Sequence, residues 1–173
     1  MEDTLLIGDY VLVRVVLSPS RGDLVLFRYP VDPRQVFVKR VVATGGDRLR
    51  IKDKRLFVNG VPPNEPYALH KTSYIEPFRD NFPSEPDVTL PDLQSNTVGD
   101  ELMVPPGKLF VMGDNRDSSL DSRYWGFLDP KSIIGKPVLT YFSAEPPAQA
   151  PMNPRPVLLH PSGIRWRRML KVL

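Results

Sequence analysis

Apolar residues in this sequence fall mostly into short runs of about four to eight that end at Gly, Pro or Asp. Runs of this length with such boundaries are typical of β-strands, because strands are short and turns need residues that tolerate unusual backbone angles. Asp53 and Lys54 separate two of these runs, which therefore read as a hairpin. The pattern predicts strands at residues 10–17, 24–29, 36–43, 48–52, 55–58, 109–112, 134–142 and 164–173.

The strand pattern predicts a mainly β, antiparallel fold. A short segment near residues 130–134 is the one helical candidate. The chain has 20 proline residues among 173, about twice the average usage of ~5%, and proline in a helix interior removes a hydrogen bond. An all-helical bundle is therefore excluded.

Prolines and scattered aromatic residues set residues 61–108 apart from the regular strands. The length of the chain suits one domain with an insertion. We expect a β core formed by residues 1–50 and 109–173. Residues 51–108 are expected to form an inserted subdomain that starts with the hairpin and continues irregularly.

Charge and composition exclude several function classes. Lys and Arg exceed Asp and Glu by only 3, so nucleic acid is not an expected partner. The absence of Cys excludes disulfides and thiolate catalysis, and no apolar run approaches the ~18 residues that a membrane-spanning helix needs. The densest basic cluster is expected to be a solvated or phosphate-facing strand surface, and it contains Arg165, Arg167, Arg168 and Lys171.

Metal and cofactor sites are not expected either. The histidines, His70 and His160, lie far apart and outside any metal-binding motif, so each is expected at the surface. Asp114, Asp117 and Asp121 do not have the spacing of a calcium loop. No glycine-rich phosphate-binding motif is present.

Two adjacent cations, Lys39 and Arg40, interrupt an otherwise apolar strand. Because side chains alternate along a strand, the two cations face opposite sides of the sheet, and at least one of them must meet apolar surroundings. A desolvated lysine loses its proton more readily and can act as a base, whereas arginine stays charged and needs a carboxylate. The alternative is an edge strand whose two cations reach water along their apolar stems.

The segment 113–126 concentrates Asp, Arg and Ser between apolar strands. Such loops are usually solvated, but Tyr124, Trp125 and Phe127 indicate that this one lies against the core. A buried loop of this composition needs paired charges and satisfied hydroxyls. It could also present a hydroxyl to a neighbouring amine.

These stretches resemble, in order, the motif boxes of the type I signal peptidases (leader peptidases), membrane-anchored serine proteases with a Ser/Lys dyad. The matching segments are 1–13, 21–27, 38–47 and 113–126, the last of which contains Gly-Asp-Asn-Arg-Asp. One such box would be weak evidence, but four in order are specific. The related self-cleaving repressor-type proteases are less similar, because they lack the 113–126 box and the insertion.

The resemblance implies a role for each matching residue. Lys39 would be the general base, and Ser119 would orient its amine. The implied structural ion pairs of the site are Arg40 with Asp114 and Asp121 with Arg123. The implied groove takes an extended peptide by strand addition and is lined by Met1, Leu5, Val36, Phe37 and Val38.

The family also implies an architecture and a location. The fold would be a coiled-sheet or barrel-like β core that acts as a monomer without metal or cofactor. It would remove signal peptides from exported preproteins on the extracytoplasmic side of the cytoplasmic membrane, held there by an anchor upstream of this chain.

This sequence differs from the family pattern at the position of the nucleophile. In the family the nucleophilic serine immediately precedes the residue that corresponds to Met1, and this sequence begins at that Met. Either the start is an internal Met of a protease, or the chain is a non-catalytic, peptide-binding relative. In both cases the polypeptide as written is expected to cleave nothing.

Overall fold

Antiparallel strands form two sheets in the computed structural model, which describes residues 1, 4–16, 18–84, 90–145 and 163–173. The larger sheet has the order β1-β9-β2-β3-β8, with β10 beside β9, and the smaller sheet has the order β5-β4-β7-β6. The strands are β1 (Asp9–Arg14), β2 (Leu24–Arg28), β3 (Val36–Thr44), β4 (Arg48–Lys52), β5 (Arg55–Val58), β6 (Thr97–Val98), β7 (Glu101–Met103), β8 (Leu109–Met112), β9 (Ile133–Ser143) and β10 (Lys171–Val172).

Helices are few and short. Three α-helical turns are α1 (Pro77–Asp80), α2 (Pro91–Ser95) and α3 (Ser122–Trp125) within the described ranges. Single 3₁₀ turns lie at Pro130–Ser132 and Trp166–Arg168. None of the helices in the described part of the chain is long and apolar enough to cross a membrane.

Strand β3 lies between two apolar clusters. Val41 packs with Phe27 and Trp125 on one face of the sheet, whereas Val42 packs with Phe110 on the other. Every residue of the neighbouring strand β8 is buried. Side chains on both faces of β3 are therefore removed from water where the two strands pair. Arg40 lies at the start of this paired region, and Lys39 lies immediately before it.

The second cluster connects the two sheets. It contains Val42 and Met112 from the larger sheet together with Leu49, Leu56 and Leu102 from the smaller one. Strand β4 begins at Arg48, three residues before the boundary expected at residue 51. The division into a core and a subdomain at 51–108 stays a prediction.

The predicted mainly β, antiparallel class is confirmed, and the hairpin of β4 and β5 has the predicted bounds. Among the described strands the order of the larger sheet has two ends, β1 and β8, so a closed barrel is not seen. The segment 61–108 is less irregular than expected, because it contains α1, α2 and the short hairpin of β6 and β7. Strands of two and three residues are too short to show an alternating pattern.

The C-terminal strand expected over residues 164–173 is wrong in extent. Ile164 makes an isolated bridge to Ala144, a 3₁₀ turn follows, and only Lys171–Val172 forms a strand. Leu170 has a φ of 58°, a left-handed conformation that interrupts an extended strand. The first strand is also shorter than expected, since β1 ends at Arg14.

The packing of the two sheets can be tested at Leu102, whose side chain is 0% exposed in the shared cluster. We expect Leu102→Ala to lower the free energy of unfolding by about 2–5 kcal/mol, since it leaves a cavity in a closed core. Leu12→Ala is the matched control, because Leu12 is 50% exposed on β1, and its cost should stay within about 1 kcal/mol. Urea unfolding of both variants measures the difference, and equal midpoints would contradict a shared core.

Candidate active site

The Lys39 amine lies at the centre of the site. Its Nζ donates a hydrogen bond to Ser119 Oγ over 2.9 Å, across 80 residues of sequence. The ring of Phe37, on the same face of β3, has its centroid 5.7 Å from Nζ. The strand and the loop 113–126 thus bring together the two residues that the resemblance pairs.

Burial lowers the pKa of Lys39 below its ordinary value of 10.5, because an ammonium loses hydration there. The carboxylate of Asp121 opposes this shift, the charge of Arg123 adds to it, and Asp114 opposes it more weakly. Within the described ranges, no carboxylate oxygen lies at salt-bridge distance from Lys39 Nζ. The amine is therefore a partly buried lysine that releases its proton more readily than an exposed one.

Ser119 links the amine to a buried ion pair. Its hydroxyl also bonds to the carboxylate of Asp121, which accepts hydrogen bonds from Arg123 Nε and Nη2 at 2.9 Å each. Burial raises the pKa of Asp121, but the charge and hydrogen bonds of Arg123 outweigh it and hold this pKa below the ordinary value. Because Asp121 stays ionised, its carboxylate accepts a hydrogen bond from the Ser119 hydroxyl, and the Ser119 oxygen in turn accepts a hydrogen bond from Lys39.

Arg40 forms the second ion pair on the opposite face of β3. Its Nε and Nη2 donate to the two carboxylate oxygens of Asp114, each over 2.9 Å, and Nη1 donates to the Gly22 carbonyl over 2.8 Å. The ring of Tyr67 stacks on the guanidinium at 3.8 Å. Arg40 and Asp114 are both buried, and hydrogen bonds and an aromatic face replace most of the hydration of the pair.

Gly113 is a residue whose importance the sequence did not reveal. A Cβ placed there would lie 2.2 Å from Ser119 Oγ and 3.5 Å from Lys39 Nζ. Any side chain would therefore displace the Ser119 hydroxyl. A glycine between an apolar strand and a polar loop is a signal of close backbone approach, although it does not say what approaches.

An open strand edge borders the amine. Strand β2 pairs with residues 36–40 of β3, whereas β8 pairs with β3 only from Arg40 onward. Within the described part of the chain, the backbone of residues 36–39 is thus paired on one side. A free edge of this kind can receive an extended peptide as an added strand.

A cleft of about 510 Å³ runs along this edge. The sequence predicted Met1, Leu5, Val36, Phe37 and Val38 as groove residues, and all five line this cleft. It did not predict Leu120, which lines the cleft as well. Its lining is Met1, Leu5, Leu6, Ile7, Gly8, Asp9, Val36, Phe37, Val38, Lys39 and Leu120. The lining is mostly apolar, with the lysine amine at one side.

The N-terminal segment reaches the ion pair on the other face of β3. Thr4 Oγ1 donates a hydrogen bond to Asp114 Oδ2, and the amides of Thr4 and Leu5 donate to the Met1 carbonyl over 3.1 and 2.8 Å. A tight turn therefore holds Met1 beside the cleft. Thr4 lies in the matching segment 1–13, but its partner Asp114 is 110 residues away. The local sequence pattern therefore could not predict this contact.

The remaining candidates lie outside the cleft. Exposed His70 is beside Asp117, 3.3 Å from Nδ1 to Oδ1, and His160 lies outside the described residues. Asp114, Asp117 and Asp121 do not converge on one point, because Asp117 binds Lys54 at 2.9 Å while the other two bind the arginines already described.

The basic C-terminal cluster is not the solvated surface that was expected. Arg165 and Arg168 are partly buried and bind Asp9, because the 3₁₀ turn directs them towards the start of β1. Only Arg167 between them is exposed as expected.

A partly buried lysine and serine beside an open strand edge form a site that an extended peptide could reach, and comparison with known proteins shows the family. Residues 1–142 match the family model described as "Signal peptidase, peptidase S26". The chain belongs to this family.

Relatives agree with the assignment. Signal peptidase I of Aquifex aeolicus is 30% identical, over 91% of this chain and 78% of the relative. Signal peptidase I of Pseudomonas fluorescens is 33% identical, over 83% of this chain, and the chain spans 62% of its length. The crystal structure of a signal peptidase I from Enterococcus faecalis V583 superposes with a TM-score of 0.52 at 30% identity, and covers 71% of this chain and 98% of that one.

The Arg40–Asp114 pair gives a stability prediction. Asp114→Asn should lower the free energy of unfolding by about 3–5 kcal/mol, because it leaves a buried guanidinium without its counter-charge. Asp100→Asn is the control, since its pair with Arg50 lies at the surface and should contribute about 0–1 kcal/mol. Chemical denaturation compares the two, and a small loss in Asp114→Asn would show that the pair is not closed to water.

The low pKa of Lys39 can be tested without any substrate. Below the folded-state pKa the buried ammonium weakens the fold, and this penalty disappears as pH rises towards the unfolded value of about 10.4. Lys39→Met should therefore be more stable than the parent near neutral pH, and its advantage should shrink at high pH. Lys52→Met is the exposed control. Chemical denaturation of the parent and both variants, near neutral pH and at high pH, measures the free energies of unfolding. An advantage that grows with pH would contradict the shift.

Proposed function

We propose that this chain belongs to a signal peptidase I that hydrolyses signal peptides of exported preproteins, with Lys39 as general base. One observation carries the proposal: a lysine amine with a lowered pKa, oriented by Ser119 and without a carboxylate at contact distance in the described ranges, borders an open strand edge. Family membership supports the peptidase class.

The attacking hydroxyl would come from a serine immediately before Met1, as the resemblance implies. Met1 lines the same cleft as Lys39, which supports this placement. The serine hydroxyl loses its proton as its oxygen attacks the substrate carbonyl, and neutral Lys39 takes that proton. No described histidine borders the cleft to do so in its place.

The proton then completes a cycle. Lys39, now an ammonium, gives the proton to the departing amine, so that the peptide bond breaks and an acyl ester with the serine remains. Lys39 accepts a proton from water as the water attacks the ester, and returns it to the serine oxygen. The net reaction is the hydrolysis of one peptide bond by one water molecule, and it needs no other reactant.

An extended segment of the preprotein would add to the edge at residues 36–39 and place alternate side chains in the cleft. The apolar walls formed by Leu5, Phe37 and Leu120 suit small uncharged residues before the cleaved bond. The family further implies a monomer on the extracytoplasmic side of the cytoplasmic membrane, held by an upstream anchor.

The test is a polypeptide extended upstream to include Ser before Met1, assayed on a signal-peptide substrate across pH. We expect cleavage that falls as pH decreases, because Lys39 must be neutral and its neutral fraction declines below its pKa. The midpoint of the fall should lie below 10.5, since burial lowers this pKa.

Variants separate the roles. Lys39→Arg should be as inactive as Lys39→Ala, because a guanidinium keeps its proton, whereas Lys52→Ala at the surface should retain full activity. Ser119→Ala should be impaired on the order of 10–100-fold, since it removes orientation and leaves the base. Near-normal turnover in Lys39→Arg would contradict the general-base role.

The polypeptide that begins at Met1 is the control without the serine, and it should bind the substrate without cutting it. If the extended form also binds without cutting, the non-catalytic, peptide-binding function is the better description. Cleavage by the form that begins at Met1, abolished by Lys39→Ala, would show that another nucleophile acts.

A further inference from the structure

Two consecutive turns lead from Met1 to β1. The first closes on the Met1 carbonyl, which accepts from the amides of Thr4 and Leu5. The second closes at Asp9, whose Oδ2 accepts from the Leu6 amide over 2.9 Å, while its own amide donates to the Leu6 carbonyl over 3.0 Å. These turns join Met1 to the first strand, and the described residues between the two belong to no helix or strand.

Arg168 binds both turns at once. Its Nη2 donates to the Thr4 carbonyl over 3.0 Å and to Asp9 Oδ2 over 2.5 Å, and its Nε donates to Asp9 Oδ1 over 3.1 Å. The contact with Thr4 joins residues 164 positions apart. A planar guanidinium can hold a carboxylate with two donors while it binds a third acceptor, which an ammonium cannot do with the same geometry.

Neighbouring groups fix the rest of the junction. Arg165 Nη2 donates to the Ile7 carbonyl over 2.7 Å, and a Cβ on Gly8 would lie 1.9 Å from the Ala144 carbonyl oxygen. Ser143 Oγ donates to Asp9 as well. Within the first turn, the Thr4 carbonyl binds the C-terminal region: it accepts from Arg168 Nη2 over 3.0 Å and, more weakly, from Lys171 Nζ over 3.5 Å.

We propose that Arg168 is a positioning residue for the hydrolysis: it fixes the turn at residues 1–5, and with it the serine before Met1, against Lys39. The inference rests on the proposed function, because it assigns the reacting hydroxyl to that serine. Arg168 does not touch the cleft, so it acts through the backbone of Thr4.

Position matters because attack requires the hydroxyl at a defined distance from both Lys39 and the substrate carbonyl. A displacement of about 1 Å caused by a remote residue can cost on the order of 100-fold in rate. The side-chain bond from Thr4 to Asp114 holds one side of the turn. Without Arg168 the Thr4 carbonyl keeps only the long contact with Lys171 Nζ, at 3.5 Å, among its described C-terminal partners, and the turn can pivot about the Thr4–Asp114 bond.

The first measurement is amide hydrogen exchange on the chain as it stands. In Arg168→Met the amides of Leu5 and Leu6 should exchange faster, while those of Val41 and Leu128, bonded within the core, should keep their protection. Asp9 retains Arg165 and Ser143 as partners, so the variant should remain folded. Exposed Arg167→Met is the matched control and should change none of these amides.

The second measurement is kinetic, on the polypeptide extended with Ser before Met1. Arg168→Met should lower kcat on the order of 10–100-fold with KM within about twofold of the parent. The pH at which activity falls should not move, because Lys39 keeps its surroundings. Arg168→Lys should recover only part of kcat, and Arg167→Met should match the parent.

The outcomes separate the two proposals. Unchanged exchange at Leu5 and Leu6, or a loss of protection throughout the core, would overturn the positioning role whether or not the enzyme is active. A normal kcat in Arg168→Met would overturn it too. An inactive extended parent would instead contradict the proposed function, and faster exchange confined to the amides of Leu5 and Leu6 would still support the local role of Arg168.

Discussion

The arrangement of the site depends on two adjacent cations, Lys39 and Arg40, on strand β3, which packs against apolar clusters on both faces. Alternation sends Lys39 to one side of β3 and Arg40 to the other. Arg40 is buried where β8 begins to pair with β3, and Lys39 is partly buried beside the cleft just before that pairing. A buried charge is stable only when hydrogen bonds and counter-charges replace its hydration. Arg40 meets this requirement through Asp114, Gly22 and Tyr67. Among the described residues, Lys39 has the Ser119 hydroxyl as a hydrogen-bond partner and no carboxylate at salt-bridge distance, and burial lowers its pKa.

The loop 113–126 supplies a partner to the cation on each face, Ser119 to Lys39 and Asp114 to Arg40. Asp121 begins helix α3 as its N-cap and binds Arg123 in the next turn. Arg123 in turn donates to the Arg116 carbonyl over 2.8 Å, which closes the loop on itself. The segment that contains Leu69 packs against it as a short parallel bridge to Asn115. The position of Ser119 is thus determined by a network of ion pairs rather than by a regular element.

The sequence predicted the parts of this arrangement that depend on local pattern. Alternation separated Lys39 from Arg40, and turn residues marked the β4–β5 hairpin. The aromatic residues at the end of the charged segment 113–126 indicated that this loop lies against the core. Contacts between distant segments could not be predicted in this way. Nothing local to Thr4 or Arg168 indicates that they meet, and a glycine at 113 reveals a close approach only when Ser119 is placed beside it. The prediction that Arg165 and Arg168 are solvated was wrong for the same reason. It was based on composition, whereas their partner, Asp9, lies near the other end of the sequence.

The choice of cation at each position follows from proton chemistry. A guanidinium cannot lose its proton at accessible pH, so it belongs where a carboxylate fork is available, which is the Asp114 side of β3. An ammonium can lose its proton, so it tolerates the side where Ser119 offers a single oxygen and Phe37 an apolar ring. If the two residues exchanged places, a permanent charge would face Phe37 without a counter-charge, and Asp114 would lose its bidentate partner. The order Lys39–Arg40 is thus the arrangement in which both faces of the strand are electrostatically satisfied and one of them retains a base.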